Sequence, residues 1–148
     1  MFPCSNAQLT FTWNLDLANG YDLIMNEHKR TVVLVDDNAT SRKFFLRSVE
    51  NLSIDLKTYG DTESAMEYLS DNKPSLLFLN IIMPDKNGLT FLGELRKIPL
   101  HSDTSVIMIT SKDYTQDRTV AFELGALDFI VKPMSMRSIT SIMLDYIK

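Results

Sequence analysis

The chain has 148 residues, of which 45% are hydrophobic and 23% charged, which suits one globular domain and argues against a disordered or fibrous protein. Its 15 basic and 19 acidic residues give a formal net charge of -4, and no long run of Lys or Arg is present, which argues against direct nucleic-acid binding. A single cysteine, Cys4, excludes an intramolecular disulfide and a multi-cysteine zinc site. We therefore expect a cytoplasmic protein in a reducing compartment.

Residues 1–30 form an N-terminal extension that differs from the rest of the chain. Apolar and polar residues alternate over residues 9–17, and Asn19-Gly20 is a strong hairpin turn that leads into a second apolar run. One interpretation is a β-hairpin that adds to a sheet edge or joins two protomers; the other is a disordered segment before a natural start at Met25. Residues 1–18 carry no Lys or Arg and are interrupted by Asn14 and Asp16, so they lack the charged and apolar parts of a signal peptide, and no apolar stretch approaches the roughly 20 residues that cross a bilayer.

Short apolar runs alternate with longer segments of helical period from residue 31 onward, a pattern that predicts an α/β fold. Residues 32–35 and 76–79 are apolar at every position, as expected for parallel strands that helices cover on both faces. The predicted strands are residues 31–35, 54–59, 75–79, 105–109 and 127–131. The predicted helices are residues 38–52, 61–70, 88–97, 113–124 and 134–148. Right-handed crossovers then predict a flavodoxin-like, doubly wound five-stranded parallel sheet of order 2-1-3-4-5.

Four residues predict where two of the helices begin and end. Asp61 suits the N-cap of the second helix, and Asp113 with Gln116 has the spacing of a capping box at the start of the fourth. Gly125 is expected to end that fourth helix.

Polar residues lie at the carboxyl ends of four predicted strands, where ligands bind in doubly wound sheets. Asp36 and Asp37 follow the first strand, Asn80 the third, Thr110 the fourth and Lys132 the fifth. The two carboxylates suit Mg²⁺, although Asp-Asp-Asn is also a common turn and cap sequence. An acidic pair, an amide, a hydroxyl and an ammonium therefore meet at one sheet edge, which indicates a functional site rather than a chance assembly.

The chain resembles the response-regulator receiver family from Thr31 to its C-terminus. The matching signatures are residues 32–38, Met83-Pro84 with Gly88-Leu89, Ile109-Thr110 and residues 125–133. The resemblance implies a receiver domain of two-component signal transduction, without enzymatic activity, over residues 31–148. It also implies a sensor histidine kinase or other signalling protein and a downstream effector protein as partners. Because no output domain follows Lys148 in this sequence, we expect any effect to pass through another protein.

The resemblance implies a metal site at the sheet edge. Asp36 and Asp37 would be the Mg²⁺ acids, and the side chain of Asn80 and the backbone carbonyl of Ile82 would complete the ligand set.

The resemblance also implies phosphoryl-handling and switch residues. Thr110 would contact an incoming phosphoryl group, and Lys132 would pair with it. Thr110 and the aromatic residue Phe129 would form the switch that couples the site to the surface.

Asn80 departs from the family, because it stands where the resemblance implies the phosphate-accepting aspartate. A neutral carboxamide is a far poorer nucleophile than a carboxylate, so we expect phosphotransfer at this position to fail. The formal charge of the site becomes about -1 instead of -2, which should weaken Mg²⁺ binding by about 1 kcal/mol or more, or abolish it. The amide oxygen of Asn80 can still accept a hydrogen bond from Lys132.

Two functional hypotheses follow. The first is a phosphorylation-independent interaction module that presents its fifth strand and last two helices to a partner. The second is an ordinary Mg²⁺-dependent, phospho-accepting receiver that carries an Asp-to-Asn change at position 80, since the other members of the site are present.

Other candidates are weaker. Asp85 and Ser111 are expected to be loop or cap residues rather than alternative phosphate acceptors. His28 and His101 are expected on the solvated surface, because neither lies near a second group of ligand-type residues. Flavin binding is disfavoured, because Asp36 and its neighbouring acid would repel a phosphate group.

Overall fold

The computed structural model describes residues 29–147, so the predictions for residues 1–28, including the hairpin, lie outside the described residues. Its sheet has five parallel strands in the order β2-β1-β3-β4-β5, which confirms the predicted fold. The strands are β1 Arg30–Val35, β2 Ile54–Tyr59, β3 Leu76–Asn80, β4 Val106–Thr110 and β5 Asp128–Val131. The helices are α1 Ala39–Ser48, α2 Thr62–Leu69, α3 Gly88–Arg96, α4 Thr115–Glu123 and α5 Met136–Tyr146, with a short 3-10 helix at Pro99–His101.

Two hydrophobic cores lie on opposite faces of the sheet, because successive residues of a strand point to opposite sides. Val33 and Leu77 face the core that is covered by α2, α3 and α4. Val32 and Phe78 face the core that is covered by α1 and α5. Every residue of β3 and β4 is buried, as the uninterrupted apolar runs predict.

The predicted helix ends are partly confirmed. The Asp61 side chain accepts a hydrogen bond from the N–H of Ser64 and caps α2, and Gly125 follows α4 with a left-handed φ of 84°. The predicted capping box at Asp113 is wrong, because α4 begins at Thr115 with no side-chain cap. Asp113 instead accepts two hydrogen bonds from Arg118, at 2.6 and 3.1 Å. This bidentate ion pair occupies both carboxylate oxygens of Asp113.

His101 contradicts the prediction of a solvated side chain, because it is fully buried. Its Nδ1 atom lies 2.8 Å from the Thr104 hydroxyl, and its Nε2 atom contacts the carbonyl oxygen of Leu69 at the end of α2. These two bonds compensate for the loss of water around the imidazole ring. The sequence around His101 does not reveal this burial, because the Leu69 carbonyl comes from a distant part of the chain.

None of the helices within residues 29–147 is long and apolar enough to cross a membrane.

Candidate functional site at the carboxyl edge of the sheet

The five polar residues predicted from the strand ends are brought together in the structure. Asp36 and Asp37 follow β1, and Asn80 ends the neighbouring strand β3. Thr110 ends β4, and its carbonyl oxygen accepts a 2.7 Å hydrogen bond from the backbone N–H of Lys132, which follows β5. The parallel register therefore places the five side chains along one edge, since all parallel strands present their carboxyl ends there.

Asp36 is fully buried, and both of its carboxylate oxygens have partners. Oδ2 lies 2.8 Å from the Lys132 ammonium, and Oδ1 accepts a 3.0 Å hydrogen bond from the N–H of Asn38. The Asp36 side chain is 0% exposed and that of Lys132 is 23% exposed. The Lys132 ammonium thus neutralises an acid that has no contact with bulk water.

Asn80 is 5% exposed, and its amide group donates two hydrogen bonds. Nδ2 lies 3.3 Å from Asp37 Oδ1 and 2.8 Å from the carbonyl oxygen of Ile82. The reverse orientation of the amide would place three oxygen atoms together, so the two acceptors determine which way the group points. The amide oxygen of Asn80 could accept a hydrogen bond from Lys132, but the described hydrogen bond of the Lys132 ammonium goes to Asp36.

In this arrangement, oxygen atoms that the family resemblance implies as Mg²⁺ ligands already accept hydrogen bonds or an ion pair within the protein. Asp37 and the Ile82 carbonyl accept hydrogen bonds from one amide, and Asp36 is occupied by Lys132 and Asn38. Within residues 29–147, His, Cys, Asp and Glu nowhere form a group of three that could hold a metal ion. The residues predicted to bind the metal therefore lie next to one another, and they are held by hydrogen bonds and an ion pair.

Thr110 and Phe129 are both buried beneath this edge. Thr110 is 0% exposed, and its hydroxyl accepts a 3.2 Å hydrogen bond from the N–H of Lys112. Phe129 is 4% exposed, and the Arg118 guanidinium lies 4.7 Å from the centre of its ring. An arginine guanidinium is always charged in proteins, and the hydrogen bond to Asp113 raises the pKa of Arg118 further, so a full positive charge lies over the ring.

Arg118 was missed by the sequence reasoning. The spacing of Asp113 and Arg118 suggests an ion pair across the start of α4. The contact between Arg118 and Phe129 does not follow from this spacing, because Phe129 lies in β5 and meets Arg118 only through the packing of that strand against α4.

Asp85 ties the loop after β3 to the start of α2. Its Oδ2 atom accepts hydrogen bonds from the hydroxyl and the backbone N–H of Thr62, at 2.7 and 2.9 Å. Burial raises the pKa of Asp85, but these hydrogen bonds lower it more, so the pKa lies below its ordinary value. Asp85 is thus engaged as a second cap of α2, as the loop or cap interpretation predicted.

Replacing Asp85 with alanine is expected to lower the free energy of unfolding at neutral pH by about 1 kcal/mol, the usual effect of losing a helix cap. Because the folded pKa is depressed, the contribution of Asp85 is fully present above the ordinary value of 3.8 and is lost as pH falls through the lower folded value. Urea unfolding at neutral pH and at about pH 3 should therefore show the difference between the two proteins shrink in acid. Glu63→Ala, in the first turn of the same helix, is the control; equal losses for both variants at both pH values would contradict this role.

The comparisons with known proteins agree with this fold. The family model of the response regulator receiver domain matches residues 32–144, which is most of the chain. The chain belongs to the response-regulator receiver family. Over 110 residues it is 34% identical to the cyclic di-GMP phosphodiesterase response regulator RpfG of Xanthomonas campestris, a match that covers 73% of this chain and 29% of that protein. The chain spans less than half the length of the curated relatives that it matches.

Solved receiver structures share this fold. A CheY-like receiver domain from Methanospirillum hungatei has a TM-score of 0.73 at 18% identity, covering 78% of this chain and 91% of the other. The Mn²⁺-bound form of response regulator Rcp1 has a TM-score of 0.71 at 19% identity, covering 80% and 95%. Receiver domains generally bind Mg²⁺; at these identities the structural likeness shows the fold alone.

Proposed function

We propose that this receiver domain is a cytoplasmic, non-enzymatic module that signals by binding other proteins, and that Asn80 prevents its control by phosphorylation. The observation that supports the proposal is the Asn80 carboxamide, which donates its amide hydrogens to Asp37 and to the carbonyl of Ile82 and stands where the family resemblance implies the phosphate acceptor.

The chemistry of the amide supports this proposal. An acyl phosphate forms when a carboxylate oxygen attacks phosphorus, whereas the nitrogen lone pair of a carboxamide is delocalised and its oxygen is uncharged. Lys132 and Thr110 would still flank an incoming phosphoryl group, but the nucleophile is missing. We propose that these two residues hold the pocket in shape instead, Lys132 through Asp36 and Thr110 through its bond to Lys112.

Mg²⁺ binding is proposed to be weak or absent for the same reason. The amide adds no negative charge, and it already uses two of the four ligand groups that the family resemblance implies, those of Asp37 and Ile82.

The surface formed by α4, β5 and α5 is the proposed partner-binding face. Its helices, with the residue that precedes α4, include exposed apolar side chains that a partner could bury: Tyr114 is 52%, Phe122 48% and Leu144 64% exposed. Arg118 holds Phe129 beneath this face, so the face would keep one shape without a phosphoryl group. The proposed partners are a sensor histidine kinase or other signalling protein and a downstream effector protein. Light scattering, which measures the mass of the particle in solution, would show whether the face instead binds a second copy of the chain.

The second candidate is an ordinary Mg²⁺-dependent receiver in which an aspartate at position 80 has been changed to asparagine. The convergence of Asp36, Asp37, Thr110 and Lys132 at one sheet edge favours it, because a pocket without phosphoryl chemistry has no need of the full set.

Incubation with Mg²⁺ and acetyl phosphate, followed by intact mass measurement, tests both candidates. The chain as given is expected to gain no phosphoryl group, and a gain at any residue would overturn the proposed function. An Asn80→Asp variant that gains a hydroxylamine-labile phosphoryl group would support the second candidate, whereas an inert variant would exclude it. Asn87→Asp is the matched control, because it adds a carboxylate to the exposed end of the same loop and still caps α3.

A further inference from the structure

Two oxygen atoms, from the segments that follow two neighbouring strands, lie close to the Asn80 amide. Asp37 Oδ1 follows β1, and the Ile82 carbonyl follows β3, which is the direct neighbour of β1 in the sheet. Both atoms are hydrogen-bond acceptors, and both lie within 3.3 Å of the same nitrogen, Asn80 Nδ2. Two acceptors that point at one place repel each other unless a group of positive charge lies between them.

The two N–H groups of the Asn80 amide supply this positive charge, as partial charges on their hydrogens. The two hydrogens point to different acceptors, so the amide has the donor geometry that this pair requires. Asn80 is 5% exposed, which leaves little room for water to replace either bond. A bond to a carboxylate is charge-assisted, and it is strengthened in such a partly dry site.

The loop after β3 is held at two other places. Asp85 binds Thr62 at the start of α2, and the backbone N–H of Gly88 donates a 2.7 Å hydrogen bond to the carbonyl of Ile81. The Asn80 amide is the contact that joins this loop to the acidic corner after β1.

As a consequence of the function proposed above, we propose that the Asn80 carboxamide is a built-in substitute for a bridging divalent cation. It links the acidic corner at Asp37 to the Ile82 loop by hydrogen bonds. The loop after β3 is then linked to Asp37 in the absence of Mg²⁺, and divalent cations do not change the structure or stability of the pocket. A carboxylate at position 80 would reverse this, because three acids would face one another and would need a cation between them.

Thermal unfolding of the full chain and two variants, in EDTA and in millimolar Mg²⁺ at matched ionic strength, tests this inference. The chain as given is expected to have the same Tm in both buffers. Asn80→Ala should lower the Tm in EDTA by roughly 5 °C or more, because it leaves Asp37 and the Ile82 carbonyl without their donor. Asn80→Asp should also have a lower Tm in EDTA and should recover it in Mg²⁺, since a ligand that binds only the folded state stabilises it.

Backbone NMR distinguishes a local bridge from a general loss of stability. The amide signals of residues 82–87 should be unchanged by Mg²⁺ in the chain as given and should shift on titration in Asn80→Asp. Asn87→Asp, which adds the same charge at the far end of the loop, should show no Mg²⁺-dependent Tm.

Either of two results would overturn the inference: a Tm of the chain as given that rises in Mg²⁺ as much as that of Asn80→Asp, or an Asn80→Ala variant as stable as the parent in EDTA. Failure of the proposed function would be seen separately, as phosphoryl mass gained by the chain as given.

Discussion

Lys132→Met is expected to lower the free energy of unfolding by about 3 kcal/mol, because it leaves the carboxylate of Asp36 buried without its cation. Asp36 is 0% exposed, and its Oδ2 atom lies 2.8 Å from the Lys132 ammonium. Methionine keeps most of the volume of the lysine stem, so the loss reports the charge rather than a cavity. Lys132 is 23% exposed, which allows water to approach and sets the expected loss at the lower end for a broken buried pair. Urea denaturation monitored by circular dichroism measures it.

Lys86→Met is the matched control for this ion pair. Lys86 lies 2.8 Å from Glu94, but the two side chains are 38% and 44% exposed, and exposed pairs contribute at most about 1 kcal/mol. Adding Asp36→Asn to Lys132→Met should recover part of the loss, because the buried charge is then removed. If Lys132→Met costs no more than Lys86→Met, then Lys132 does not stabilise the buried acid in the way proposed.

Gly88→Ala is expected to destabilise the domain by about 3 kcal/mol, at the upper end for overpacking. A Cβ atom at Gly88 would lie 2.2 Å from the backbone carbonyl oxygen of Asn80, and neither atom belongs to a flexible side chain. Relief requires the start of α3 to move away from the end of β3. Because Asn80 also holds Asp37 and the Ile82 loop, the same movement should disturb the NMR signals of the pocket.

Gly93→Ala is the control within the same helix. Nothing lies within 4 Å of the position of a Cβ at Gly93. Alanine there should raise the free energy of unfolding by about 0.5 to 1 kcal/mol, because it has the higher helix propensity. Changes of opposite sign in the free energy of unfolding of the two variants, measured by the same urea denaturation, would support the close packing of α3 on β3. Equal effects would contradict it.

The strands and their order could be predicted because their signals are local. The apolar runs at residues 32–35 and 76–79 identify strands that helices cover on both faces, and those strands are buried as predicted. Right-handed crossovers then leave few orders for five parallel strands. The end of α1 was harder to predict, because residues 49–52 continue the helical pattern while the chain already turns toward β2.

The meeting of the polar residues at one edge could also be predicted, but their partners could not. The sequence indicates an acid pair, an amide and a lysine, and it does not show which donor reaches which acceptor. Lys132 could have reached either the Asn80 amide oxygen or an acid, and it binds Asp36, because a buried full charge attracts the ammonium more strongly than a neutral amide oxygen does. The burial of His101 and the position of Arg118 over Phe129 likewise depend on groups from other elements.

The sequence by itself determined the fold class, the strand order and the family, together with the absence of a carboxylate at position 80. The fold class and strand order follow from the periodicity of apolar residues, and the family follows from the resemblance of the motifs at the strand ends; both are local properties of the chain. Only the tertiary structure decided that Asn80 turns its amide hydrogens toward Asp37 and Ile82, and that Asp36 is closed off by Lys132. The physical reason is that hydrogen-bond direction and burial depend on atoms that the fold brings together from distant segments.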